Sequence, residues 1–242
     1  MASRGARPAL ALAALLATPS LAASPASVLP PGARVAGQAQ AEYTVKWWQW
    51  INRLPPGVRA YQDPTGAQCA LNQSGEVWFL AGTDGTGDAA RHCRMPAGKH
   101  VFFPVINMIA HSMPGKPVSC GDATAVVRAN NDHLGEVEVT IDGVVVRHVE
   151  LHRLVSPRCF DAFPSAPYLK KAQSWYPAAT DGYWLMLQPL QPGMHLVSVK
   201  ARYDNPGNDL GDLEQVFEYQ LQVEDIHTSE PLRQPGTGDI YM

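Results

Sequence analysis

Residues 136–151 read Glu136-Val137-Glu138-Val139-Thr140-Ile141, then Asp142-Gly143, then Val144-Val145-Val146-Arg147-His148-Val149-Glu150-Leu151. An Asp-Gly pair between β-branched runs is the strongest short hairpin signal a chain can carry. The same grammar recurs outward from it. Downstream, Gly182 to Gln188, His195 to Tyr203 and Gln215 to Val223 read as strands, with Pro192-Gly193 turning between the first two. Upstream, Glu76 to Ala81, Arg91 to Met95 and His100 to Ile106 do the same, separated by Gly82 to Asp88 and by Pro96-Ala97-Gly98.

Two stretches have helical texture. From Gln38 to Leu54, Tyr43, Trp47, Trp50 or Ile51, and Leu54 recur at spacings of three and four, and Pro55-Pro56 closes the run. A short helix over Ala123–Asn130, capped by Asp122, is expected mid-chain. The fold class is therefore mainly β: an immunoglobulin-like or jelly-roll-like β-sandwich with an N-terminal amphipathic helix and a short mid-chain helix. Residues 156–181 are expected to be an irregular connection. The single domain is placed at 38–226, after a flexible stretch at 24–37 and before a loose tail at 227–242.

Residues 1–23 read as a signal peptide. Arg4 and Arg7 precede an apolar run from Ala9 to Ala17, too short to span a bilayer, and small residues follow at Ala22 and Ala23. The expected location is the periplasm or the extracellular medium, with no membrane span after cleavage. In such a compartment Cys69, Cys93, Cys120 and Cys159 are read as disulfides rather than as a zinc site. Four cysteines allow three connectivities. The sequential pairing is preferred because each pair brackets one local unit. The formal charge of −3 argues against nucleic acid as a partner.

Several segments together resemble a family of exported bacterial proteins with no assigned activity. They are Trp47 to Trp50 (Trp-Trp-Gln-Trp), Gln73 to Gly82 (Gln-Ser-Gly-Glu-Val-Trp-Phe-Leu-Ala-Gly) and Pro96 to Asn107. Asp181-Gly182-Tyr183-Trp184 and Pro192-Gly193-Met194-His195 complete the set. The resemblance implies a signal peptide and a mostly β domain, and it assigns no functional residue.

Three constellations bear on chemistry. On a strand, His148, Glu150 and His152 share one face, and imidazole and carboxylate suit a divalent metal. Residues four apart on a strand are about 13 Å apart, so His195 from a facing strand would have to complete the set. A solvated strand face is the competing reading. Asp84-Gly85-Thr86-Gly87-Asp88 offers carboxylates for calcium, against a plain turn. The aromatic residues, Trp48, Trp175 and Tyr176 foremost, suit a binding platform, against core packing. No nucleophile elbow, H-E-x-x-H or phosphate loop occurs. The reading is a non-enzymatic exported protein with no cofactor that binds an envelope, glycan or protein partner. The alternative is a metal-binding protein or metal-dependent enzyme.

Overall fold

The computed structural model describes residues 26–85, 87–164, 175–204 and 213–225. The signal-peptide reading at 1–23 and the tail at 227–242 lie outside them. The chain is mainly β, as expected, and its strands form two stacked sheets with a helix on the outer face of one.

The helix, α1, runs over Gln40–Ile51 and buries Tyr43, Trp47, Trp50 and Ile51, the residues at helical spacing. Before it, β1 (Arg34–Val35) and β2 (Gln38–Ala39) pair across a turn at Ala36 and Gly37. The stretch expected to be flexible is instead fastened over its described part. Leu29 N–H donates to Met186 O at 2.7 Å and Gln188 N–H to Ser27 O at 2.9 Å. Backbone pairing of this kind holds a segment whatever its Ala/Pro/Ser composition.

One sheet contains β3 (Val77–Phe79), β5 (His100–His111), β8 (Arg153–Val155) and β9 (Ala178–Leu187), in the order β3-β5-β9-β8. The other contains β4 (Ala89–Pro96), β6 (Leu134–Ile141), β7 (Val144–Val145), β10 (Gly193–Tyr203) and β11 (Glu214–Glu224), in the order β4-β11-β10-β6-β7. Most neighbours are antiparallel, but β3 pairs parallel with β5 and β4 parallel with β11. The chain achieves this by crossing between sheets on each side of β4. Val101, Phe103, Leu185 and Leu187 from one sheet meet Val197, Val199, Phe217 and Leu221 from the other to form the main core. The opposite face of the first sheet carries Phe79, Phe102, Trp184 and Met186, which α1 covers. Both faces of β5 and β9 are thus buried, which is why neither strand alternates in sequence.

Two bridges join Cys69 to Cys93 and Cys120 to Cys159, the sequential pairing. Closing loops of these lengths contributes about 3–4 kcal/mol each on the chain-entropy model. The mid-chain helix, α2, runs over Cys120–Asn131, and its N-cap is Ser119, not Asp122. Ser119 Oγ accepts from Asp122 N–H at 3.1 Å and donates to the Asp122 carboxylate at 2.7 Å.

Several strand boundaries differ from expectation, β5 running on past Ile106 to His111. The hairpin's Asp142-Gly143 turn forms, with both residues at positive φ, but its return strand stops at Val145. Residues Val149–His152 make a 3-10 turn, entered through His148 at φ 59°. Conversely, β9 begins at Ala178, inside the stretch expected to be irregular, and all ten of its residues are buried. Among the described residues no helix is long and apolar enough to cross a membrane.

Candidate functional site

The site begins with a bulge in β5. Up to Pro104, the even-numbered residues face α1: Phe102 packs under it, and Pro104 pairs with Trp184. Val105 and Ile106 then both enter the inter-sheet core, and the register with β9 shifts by one residue. Beyond the shift the odd-numbered residues face α1, so Asn107, Ile109 and His111 point to the helix side. A bulge re-aims every side chain after it because strand side chains alternate.

Above these residues stand two tryptophans of α1. Trp47 Nε1 donates to Leu80 O at 2.8 Å and Trp48 Nε1 to Thr180 Oγ1 at 2.8 Å. The two rings meet edge to face, with centroids 4.9 Å apart. Each indole is therefore fixed by both packing and a hydrogen bond. Together with Tyr61, Phe163, Met108 and Ile109 they wall a cavity of about 570 Å³. That size is in the range of small-ligand pockets, roughly 300–1,000 Å³.

Arg91 positions the Tyr61 side of the wall. Its guanidinium is buried and donates to Asp63 O at 2.6 Å, Ala81 O at 2.7 Å and Tyr61 O at 3.3 Å. It also lies 5.2 Å from the Tyr219 ring centre. At the far wall Gln215 Oε1 accepts from Thr83 N–H at 3.0 Å, its side chain lying across Gly82. A Cβ at Gly82 would stand 2.0 Å from Gln215 Oε1, so a larger residue there would displace the end of that side chain.

Polar groups are few and directional. Asn52 Nδ2 donates to Ala162 O at 3.1 Å, and Arg59 donates to Leu54 O at 3.1 Å and to the Tyr61 hydroxyl at 3.0 Å. His111 Nδ1 and Ser112 O are 2.8 Å apart, and the imidazole meets Phe163 and Trp175 edge-on. Asn107 differs from the rest. It is 7% exposed, lines the cavity, and its Nδ2 has no hydrogen-bond partner. A buried donor left unmade costs about 1–3 kcal/mol, so such an atom calls for an explanation.

The sequence-predicted residues divide. Trp48 lines the cavity, Trp175 stands half-buried behind His111 and Phe163, and Tyr176 is 55% exposed. The proposed metal set is not brought together. His148 and Glu150 are exposed and pair with each other at 3.1 Å, while His152 is buried with its Nδ1 unpartnered. His195 engages Asp142 Oδ2 and Gln191 O at 2.8 Å each, using both ring nitrogens. The physical reason is the 3-10 turn, which has three residues per turn and so destroys the alternation that put three ligands on one face. No group of three or more His, Cys, Asp or Glu suited to a metal occurs among the described residues. In the loop considered for calcium, Asp84 lines the cavity and Thr86 lies outside the described residues.

Sequence reasoning missed Asn107, Tyr61, Arg91, His111 and Phe163. The one available signal was an amide ending the apolar run from Val101 to Ile106. Four of the five motif segments quoted above reach this cavity or its floor: Trp47 and Trp48, Gly82, Asn107, and Gly182 beneath Asn107.

No family model matches the chain, and no curated protein matches it. Two solved structures are similar to part of it. The solution structure of amebosin is 10% identical, with a TM-score of 0.20, over 62% of this chain and 100% of that one. The crystal structure of the cysteine protease inhibitor EhICP2 from Entamoeba histolytica is also 10% identical, with a TM-score of 0.20, over 61% of this chain and 96% of that one. Likeness at this level carries no argument about role.

Proposed function

We propose that the chain is an exported, non-enzymatic binding protein that holds a glycan in the aromatic cavity. The observation that carries this reading is the aromatic wall of Trp47, Trp48, Tyr61 and Phe163 around the cavity, with Asn52, Asn107 and Gln215 in its lining. Sugars combine apolar C–H faces with hydrogen-bonding edges. A fixed aromatic wall with a few planar polar side chains complements both. Two disulfides and the Arg4-to-Ala23 segment support export, and with it access to envelope polysaccharides.

The direct test is titration of the purified, oxidised protein with a set of disaccharides, followed by calorimetry and tryptophan fluorescence. Binding of at least one sugar is expected, with loss of about tenfold or more in affinity on Trp48→Ala. The absence of heat and of any fluorescence change across β-linked hexose, hexosamine and uronate disaccharides at millimolar concentration overturns the reading.

A further inference from the structure

We infer that the Cys120–Cys159 bridge is a redox-sensitive latch on the aromatic cavity. A dithiol reduces it selectively, and its opening frees the strip of chain that carries Phe163 into the cavity wall. This goes beyond the glycan reading and does not depend on it.

The two bridges differ in access. Cys69 and Cys93 are 7% and 3% exposed and belong to the main core. Cys120, the first residue of α2, is exposed, and Cys159 is half-buried. Exchange begins when a thiolate attacks a bridge sulfur, so access decides which bridge reacts, and exposed bridges are the labile ones. One dithiol balances the reaction. Its first thiolate attacks one sulfur of the bridge, the S–S bond breaks, and the other cysteine leaves as a thiolate and takes up a proton. Its second thiolate attacks the mixed disulfide, closes the reagent's own disulfide and releases the remaining cysteine, which is protonated in turn. Two electrons and two protons pass from the dithiol to the protein.

The bridge ties together structure from both faces of the first sheet. Ala123 and Val127 of α2 pack with Ala179, which pairs with Ala110 on the side of β5 away from α1, and Cys159 lies against that cluster. The next residue, Phe160, turns the other way and joins Val45 of α1. Past Cys159 the strip is held without any strand ladder. Phe160 and Ala178 exchange two backbone hydrogen bonds, at 2.9 and 2.8 Å. Gln49 Nε2 donates to Asp161 O at 2.9 Å and Asn52 Nδ2 to Ala162 O at 3.1 Å. Phe163 then lines the cavity and meets the His111 and Trp175 rings. A single pair with two side-chain bonds opens locally at far lower cost than a core strand, and the covalent link to α2 is what keeps it shut. Reduction removes that link at the near end of the strip, four residues from Phe163.

The test is graded reduction of the full, purified, oxidised chain with dithiothreitol, followed by trapping with iodoacetamide and mass mapping. The first product is expected to carry label at Cys120 and Cys159, with Cys69–Cys93 intact. In that product, amide hydrogen exchange over residues 157–163 is expected to quicken about tenfold or more, with exchange in β10 and β11 unchanged. Cys120→Ser combined with Cys159→Ser should show the same local quickening with neither reductant nor label. If that variant does not fold, the trapped native chain decides the matter. Reduction of both bridges together, or of Cys69–Cys93 first, overturns the inference. So do unchanged exchange at 157–163 after selective reduction and loss of protection throughout the chain. Neither readout uses a ligand, so a failure of the saccharide titrations leaves this inference standing, and its own failure leaves the glycan reading untouched.

Discussion

Gly182 lies directly across the β5–β9 pairing from Asn107, and a Cβ at position 182 would stand 2.5 Å from the Asn107 Cβ. It would also stand 2.8 Å from Ile106 O, which is backbone and cannot swing aside. The missing side chain on β9 is therefore what lets the Asn107 side chain rest at the floor of the cavity. A glycine in a fully buried strand weakens the strand and needs such a reason.

Gly182→Ala is expected to displace β5 at the bulge and to destabilise the fold by about 1–3 kcal/mol, the usual cost of overpacking. Ligand affinity should fall with it, because Asn107 moves. Urea denaturation and sugar titration on the same preparation check both. An alanine variant with native stability and native binding would show that the strands separate at no cost.

Arg91 is a buried cation held by carbonyl and hydroxyl groups. Arg91→Met keeps much of the volume but leaves the Asp63, Ala81 and Tyr61 carbonyls short of a donor. A loss of about 3 kcal/mol is expected, together with weaker ligand binding as Tyr61 loosens. Arg91→Lys should recover little of either, since one ammonium cannot span carbonyls on three sides. The change in urea midpoint, set beside the affinity, is the measurement.

Asp181 is fully buried on β9 and takes both Nε and Nη2 of Arg153, with the shortest contact at 2.7 Å. Arg153 also reaches Asp132 at 2.6 Å. Both contacts raise the guanidinium above its ordinary range, the Asp181 hydrogen bond most, and the Arg153 hydrogen bond lowers the Asp132 carboxyl. Arg153→Ala strands the Asp181 charge and is expected to cost about 3–5 kcal/mol. Adding Asp181→Asn should restore a good part of that loss. A double-mutant cycle followed by thermal denaturation decides it, and strictly additive losses would contradict the coupling.

His152 is buried, and burial holds its imidazole below the ordinary value, with the Glu150 charge opposing. A depressed histidine binds its proton more readily when the chain is unfolded. The contribution is therefore complete above the ordinary value of about 6.5 and is lost as pH falls through it toward the lower native value. His100 is lowered by burial too and acts in the same direction. Stability measured by urea midpoint should drop between pH 7.5 and pH 5, and His152→Gln should flatten part of that slope. An identical slope in the variant would assign the effect elsewhere.

Much of the fold was legible because its signals are local. The spacing of Tyr43, Trp47 and Trp50 made α1, the Asp142-Gly143 pair made the hairpin turn, and of the apolar residues expected to face one another across β10 and β11, Val197, Val199, Phe217, Tyr219 and Leu221 lie inside while Leu196 and Val216 do not. Bracketing local units was enough to order the cysteines, since sequence-near pairs close the shorter loops.

The site was legible only in part, through Trp48. His148, Glu150 and His152 looked like one strand face because alternation was extended past Val145, where the chain instead turns through a left-handed residue at His148. β9 starts four residues before the expected Gly182 because Asp181 is a poor strand residue in isolation and interrupts the pattern there. Asp181 and Gly182 are each tolerated for a partner remote in sequence, Arg153 for one and Asn107 for the other.

Taken alone, the order of amino acids decided which segments curl, which extend and which face turns inward, because those choices depend on neighbours one to four positions away. Where the β5 bulge falls, and so which of Asn107 and Met108 turns toward α1, was decided only when strands some 75 residues apart came into register. A one-residue slip there exchanges the two faces of a strand, and no local pattern encodes it.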